Sequence, residues 1–148
     1  MTTTPTIPDL SGEIDRLDAL GAVLDGERTR EDDDEMPEVG VLRNAAAQLR
    51  VELNSLSAIV QELGEWGAPT PILTAAYAVS LEHLGLAQML LDGTDAGPLN
   101  PHALLHQLRD AVFHGRRAAE GLQRLENEIL AESRRVSRDE NRQDFMAG

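Results

Sequence analysis

The stretch LRNAAAQLRVELNSLSAIVQEL, residues 42–63, places Leu42, Ala46, Leu49, Leu53, Leu56, Val60 and Leu63 in alternating steps of four and three. A strand alternates every second residue, whereas steps of four and three keep apolar side chains along one side of a helix. The stretch therefore predicts a long helix with a packing seam, and a molecule made of helices laid along one another. Pro37 at the first turn and Glu38 beside it suit the start of this helix. Gly64, Gly67 and Pro69 supply its end, where Trp66, the single tryptophan, is expected to cover the end of the bundle.

Upstream, residues 1–8 carry four threonines and two prolines, and a disordered lead-in is expected. Asp9 or Ser11 can cap a first helix whose stripe is Leu10, Ile14, Leu17 and Leu24, with Leu20 and Val23 beside it. Gly12, Gly21 and Gly26 weaken that helix, each by about 1 kcal/mol relative to alanine, so it is expected to be short. Residues 25–38 hold eight acidic side chains against Arg28 and Arg30 and read as a solvated, self-repelling linker.

Downstream, the third helix starts at Thr70-Pro71. Between residues 72 and 91 its ionisable side chains are Tyr77, Glu82 and His83. One seam holds Ile72, Ala76, Val79, Leu86 and Leu90, and the neighbouring one Leu73, Tyr77, Leu84, Ala87 and Leu91. A helix apolar around so much of its circumference is covered on more than one side. Glu82 near the middle argues against a membrane span, so a central helix, or one whose outer face meets a second subunit, is expected. Glu82 and His83 are then candidate buried polar residues that need partners.

After the break at residues 92–98, Asn100-Pro101 marks a helix start. The fourth helix carries the seam Leu104, Leu108, Ala111, Gly115, Ala118, Leu122, Leu125 and Ile129 and is expected to reach Val136. Its small centre, Ala111-Gly115-Ala118, invites close approach by larger residues of the third helix. Residues 137–148 are expected to be a charged flexible tail. The fold expectation is thus an all-α antiparallel bundle of about four helices, one short and three long, forming a single domain over residues 9–136.

Composition narrows the function. A formal net charge of −13 opposes nonspecific binding to nucleic acid, and no DNA partner is expected. There is no cysteine, which removes thiolate chemistry, and all thirteen basic residues are arginine, which removes Schiff-base and P-loop lysines. The N-terminus lacks the basic and apolar regions of a signal peptide, so a cytoplasmic location is expected, without membrane attachment. Nucleophile elbows, glycine-rich phosphate loops and His-Glu-x-x-His are absent, and no cofactor is expected.

Two weaker patterns lie on the fourth helix. His106, Asp110 and His114 are spaced by four, a side stripe that could form a metal half-site completed by Glu82 or His83. Overlapping it, Arg109-Asp110-Ala111-Val112-Phe113-His114 has the form Arg, Asp, three residues, His. This resembles the catalytic signature of the HEPN superfamily of helical-bundle ribonucleases. The resemblance implies an RNA substrate and a metal-independent site in which Arg109 and His114, supported by Asp110 and contributed by two subunits, act on the ribose 2′-hydroxyl and the phosphate. The leading expectation is different: a non-enzymatic acidic helical interaction protein, homodimeric, that docks on a protein partner through its apolar seams.

Overall fold

The computed structural model describes residues 7–64, 71–94 and 100–147. Four helices follow in order: α1 (Ser11–Asp32), α2 (Val39–Gly64), α3 (Pro71–Gly93) and α4 (Pro101–Ala147). Their directions follow from which residues touch. Arg16 of α1 hydrogen-bonds Glu52 of α2, and Glu27 of α1 accepts from the Glu38 amide just before α2. Likewise Arg50 and Tyr77 tie α2 to α3 through Asp92 and the Val60 carbonyl. Asp18 and Asp25 of α1 meet Arg116 and Arg109 of α4, and Leu90 and His83 of α3 meet Gln107 and His114. In each pair later residues of one helix meet earlier residues of the other, so the chain is an antiparallel all-α bundle.

The seam of residues 42–63 is buried almost as read. Leu42, Leu49, Leu53, Leu56, Val60 and Leu63 lie in the core, with Ala45 buried and Ala46 half-buried. On α4, Leu105, Leu108, Ala111, Val112, Ala118, Ala119, Leu122, Leu125 and Ile129 are buried, with Leu104 at the edge of the core. Both α2 and α4 pack against all three other helices, α4 most extensively, whereas α3 contacts α2 and α4 but not α1 among the described residues. That packing corrects one of the two alternatives expected for the third helix, the central position. It also changes the groove at Gly115: a Cβ there would lie 3.1 Å from Leu53 Cδ2 and 3.7 Å from Leu17 Cδ2, so leucines of α2 and α1 fill it, not residues of α3.

The first helix is longer than expected, and the acidic stretch read as a linker from residue 25 is helical through Asp32. The reason is local neutralisation. Arg30 sits 3.9 Å from Glu27, 3.2 Å from Glu35 and 3.1 Å from Glu38. The Glu38 contact leads in holding the Arg30 guanidinium above its ordinary pKa. The buried Glu27 accepts the Glu38 N–H at 2.9 Å, while the Glu38 carbonyl accepts from Leu42 and begins α2. The turn between the helices passes through Asp34 at φ 61°, a left-handed conformation that aspartate tolerates better than most side chains.

Leu10, not Asp9 or Ser11, occupies the N-cap position of α1 and makes no side-chain cap, while Asp9 Oδ1 accepts from both the Ser11 amide and hydroxyl, the hydroxyl being the main cause that lowers the Asp9 pKa. Ile7, inside the expected lead-in, is buried, while residues 1–6 and Trp66 lie outside the described residues. Asn100 caps α4 by accepting the Ala103 amide at 2.8 Å. That helix continues to Ala147, through the stretch expected to be a tail.

Candidate functional site

The candidate residues are divided between the two flanks of α4. Toward α1, Arg109 Nη2 and Nε lie 3.1 and 3.2 Å from Asp25 Oδ1, and Arg116 lies 2.9 Å from both Asp18 and Glu120. These pairs border an open cavity of about 550 Å³ that Gly21, Ala22, His106 and Asp110 also line. Each guanidinium faces a carboxylate of α1, so a phosphate entering this cleft would have to displace Asp25 or Asp18. Nearer the start of α4, His102 and His106 both address the Glu31 carboxylate, His106 from 3.5 Å.

Toward α3, His114 Nδ1 lies 3.1 Å from His83 Nδ1, with the ring planes 25° apart and the centroids 5.3 Å apart. One nitrogen must donate and the other accept, so this contact requires at least one neutral ring. Phe113 meets His114 edge-on, and Arg117 lies over Phe113, 5.3 Å from its centroid.

The five-residue spacing that joins Arg109 to His114 in sequence rotates them about 140° apart on a helix. They accordingly face different neighbours, Asp25 and His83, and one chain does not bring them together. The stripe His106, Asp110 and His114 is divided in the same way: His106 turns to Glu31, Asp110 to the α1 cleft and His114 to α3. Among the described residues, no group of three or more His, Asp or Glu side chains is arranged to hold a metal ion.

Of the two candidate buried polar residues, His83 is half-buried and Glu82 is exposed. Among the described residues the buried polar or charged ones are instead Glu27, Glu52 and Ser80. Glu52 is held by Arg16, whose pKa it raises by hydrogen bonding. The Ser80 hydroxyl has no hydrogen-bond partner among the described residues. It faces Gly121, where an added Cβ would overlap Ser80 Oγ and stand 3.4 Å from its Cβ, so α3 and α4 approach closely there. The signal for Ser80 was present in the sequence: it completes the steps of four and three through Leu73, Tyr77, Leu84, Ala87 and Leu91.

The outer side of α3 faces solvent. Val79, Leu81 and Met89 are 49, 46 and 61% exposed, and Ala75, Ala78 and Gly85 are exposed with them. Glu82 is the ionisable side chain among these. A groove of about 530 Å³ runs along one edge of this face, between Ala76, Val79 and His83 of α3 and Arg117, Gly121 and Arg124 of α4. No helix among the described residues is long and apolar enough to cross a membrane. Comparison with protein-family models, with curated proteins and with solved structures finds no match to this chain.

Proposed function

We propose that this chain is a non-enzymatic acidic helical-bundle protein that acts in the cytoplasm by docking on protein through the outer face of α3. The observation that carries this reading is the exposure of Met89, with Val79 and Leu81 exposed at the two edges of the same solvent-facing half of α3, on a helix expected to be covered on more than one side. Single exposed apolar residues are ordinary, but three of them on one half of a helix with small residues between form a surface that a partner can cover. Glu82 is the one ionisable side chain described on this face, in a molecule of formal net charge −13.

The ribonuclease reading has less support. Arg109 is engaged by Asp25 and His114 by His83, and a partner covering α3 would sit on the flank of α4 opposite Arg109. Capture from the source lysate with the wild-type chain and with Val79→Arg/Met89→Arg tests the docking reading. A protein retained by the wild type and lost from the variant is expected. The same recovery with both overturns it.

A further inference from the structure

Independently of the docking reading, the geometry points to a metal site between α3 and α4: the Nδ1 atoms of His83 and His114 together bind one divalent late first-row cation, Zn²⁺ or Cu²⁺, with water in the remaining positions. The two nitrogens are 3.1 Å apart and come from different helices. An ion about 2.0–2.1 Å from each, the ordinary zinc–imidazole distance, subtends an N–metal–N angle of roughly 95–100°, between the octahedral and tetrahedral values. The rings, with centroids 5.3 Å apart, meet nearly head-on, and a modest turn of each about its broad χ2 torsion converges both lone pairs on the ion. Without metal, one Nδ1 carries the hydrogen that the other accepts. Binding moves that hydrogen to Nε2 of the same ring, so both rings offer a lone pair at Nδ1 and keep an N–H at Nε2.

The surroundings suit a ligand pair. Gln107, His114 and Gly121 stand at seven-residue intervals on α4, and on either side of the histidines Gln107 donates to the Leu90 carbonyl while Gly121 abuts Ser80. The approach of His114 to His83 is thus set by two close helix contacts before any ion arrives. Both rings are half-buried, and His83 lines the open groove of about 530 Å³, which has room for the waters that complete the coordination. Arg117 and Arg124 in that groove are matched by Glu120 and Glu128, and the formal net charge of −13 draws cations to the surface. Imidazole nitrogens in a chain without thiolates select Zn²⁺ or Cu²⁺, whereas Mg²⁺ and Ca²⁺ prefer oxygen. The other two histidines, His102 and His106, both address Glu31 and serve as an internal control.

Calorimetric titration of zinc chloride into the chelator-treated chain near neutral pH is expected to show one site, and magnesium chloride none. His83→Gln and His114→Gln are each expected to weaken zinc binding by more than the roughly 10–100-fold that loss of a residue orienting a ligand costs. His102→Ala/His106→Ala is expected to leave it unchanged. Nitrogen NMR of the wild-type imidazoles reads the site without any substitution: zinc is expected to shift the Nδ1 resonances of His83 and His114 and to leave both Nε2 atoms protonated. Nδ1 resonances that zinc does not move overturn the site, whatever the variants show. Binding lost in His102→Ala/His106→Ala but kept in His83→Gln overturns the assignment to this pair. Equal uptake by all the variants, or an equal response to magnesium, is adventitious binding and overturns it as well.

Discussion

The two flanks of α4 are built on different principles. Against α1 the contact is edged with ions: Arg109–Asp25, Arg116–Asp18 and the two histidines at Glu31. Against α3 it is close and nearly uncharged, with Gly121 against Ser80, His114 against His83, and Gln107 donating to the Leu90 carbonyl at 2.7 Å. A rim of surface ion pairs holds register loosely and tolerates changes in side-chain size, whereas a small-residue contact tolerates almost none. The difference teaches why the most apolar helix can lie at the periphery: α3 is fixed by fit on its inner side, which leaves its outer side free to carry a different task.

The largest expected effect sets matched substitutions on the two flanks. Gly121→Ala would drive a methyl into Ser80 Oγ and is expected to destabilise the protein by about 1–3 kcal/mol. Gly21→Ala, on the α1 flank, meets only Val112 Cγ1 at 3.8 Å and is expected to stabilise by up to about 1 kcal/mol through helix propensity. Urea unfolding of the two variants measures both. Equal losses would show that the flanks are packed alike and break the comparison.

Ser80 sharpens it. Because its hydroxyl is buried without a partner among the described residues, Ser80→Ala is expected to be neutral or to stabilise by about 1 kcal/mol. Added to Gly121→Ala it should recover most of the loss, since the remaining approach, 3.4 Å from the Ser80 Cβ, is an ordinary contact. A double variant as unstable as Gly121→Ala would place the strain elsewhere in the α3–α4 contact.

Much of the bundle was legible because apolar periodicity and burial are the same fact seen twice. Residues 42–63 and the seam of α4 were read from spacing and are buried. Three errors came from weighing residue type above spacing. Glu27 lies three residues after Leu24 and continues the α1 stripe, so the helix carries on into the acidic stretch. Ser80 stands in step on α3 and is buried, while Glu82, out of step with the same seam, is exposed. That α3 has fewer helix neighbours than α2 and α4 was less legible, because periodicity shows which side of a helix is covered but not how many neighbours share it. Arg109 and His114 show the converse: a linear motif was visible, and the 140° between its ends follows from helix geometry alone.

A double-mutant cycle on each flank extends the comparison to smaller energies. On the α3 side, His83→Leu and His114→Leu are expected to show a coupling of about 0.5–1.5 kcal/mol, the net value of one hydrogen bond in a half-buried setting. That coupling should be nearly the same in 0.05 M and 1 M NaCl, because it is not a contact between two charges. Loss of the coupling in high salt would mean that the histidine pair belongs with the ionic rim.

The smallest expected effect is the cycle on the other flank, between Asp18→Ala and Arg116→Ala. Their carboxylate and guanidinium are 2.9 Å apart, yet the side chains are 43 and 50% exposed, so water competes for both. Glu120 also lies 2.9 Å from Arg116 and can retain the guanidinium when Asp18 is removed. The coupling is therefore expected at about 0.2–1 kcal/mol in low salt, falling toward zero in 1 M NaCl, where the Debye length shrinks to about 3 Å. Removing Glu120 as well should raise the Asp18–Arg116 coupling, because the arginine then has one carboxylate instead of two. A coupling above the α3 value, or one unchanged by salt, would show that the α1 flank is locked by its ion pairs and that the two flanks differ in chemistry but not in how firmly they hold α4.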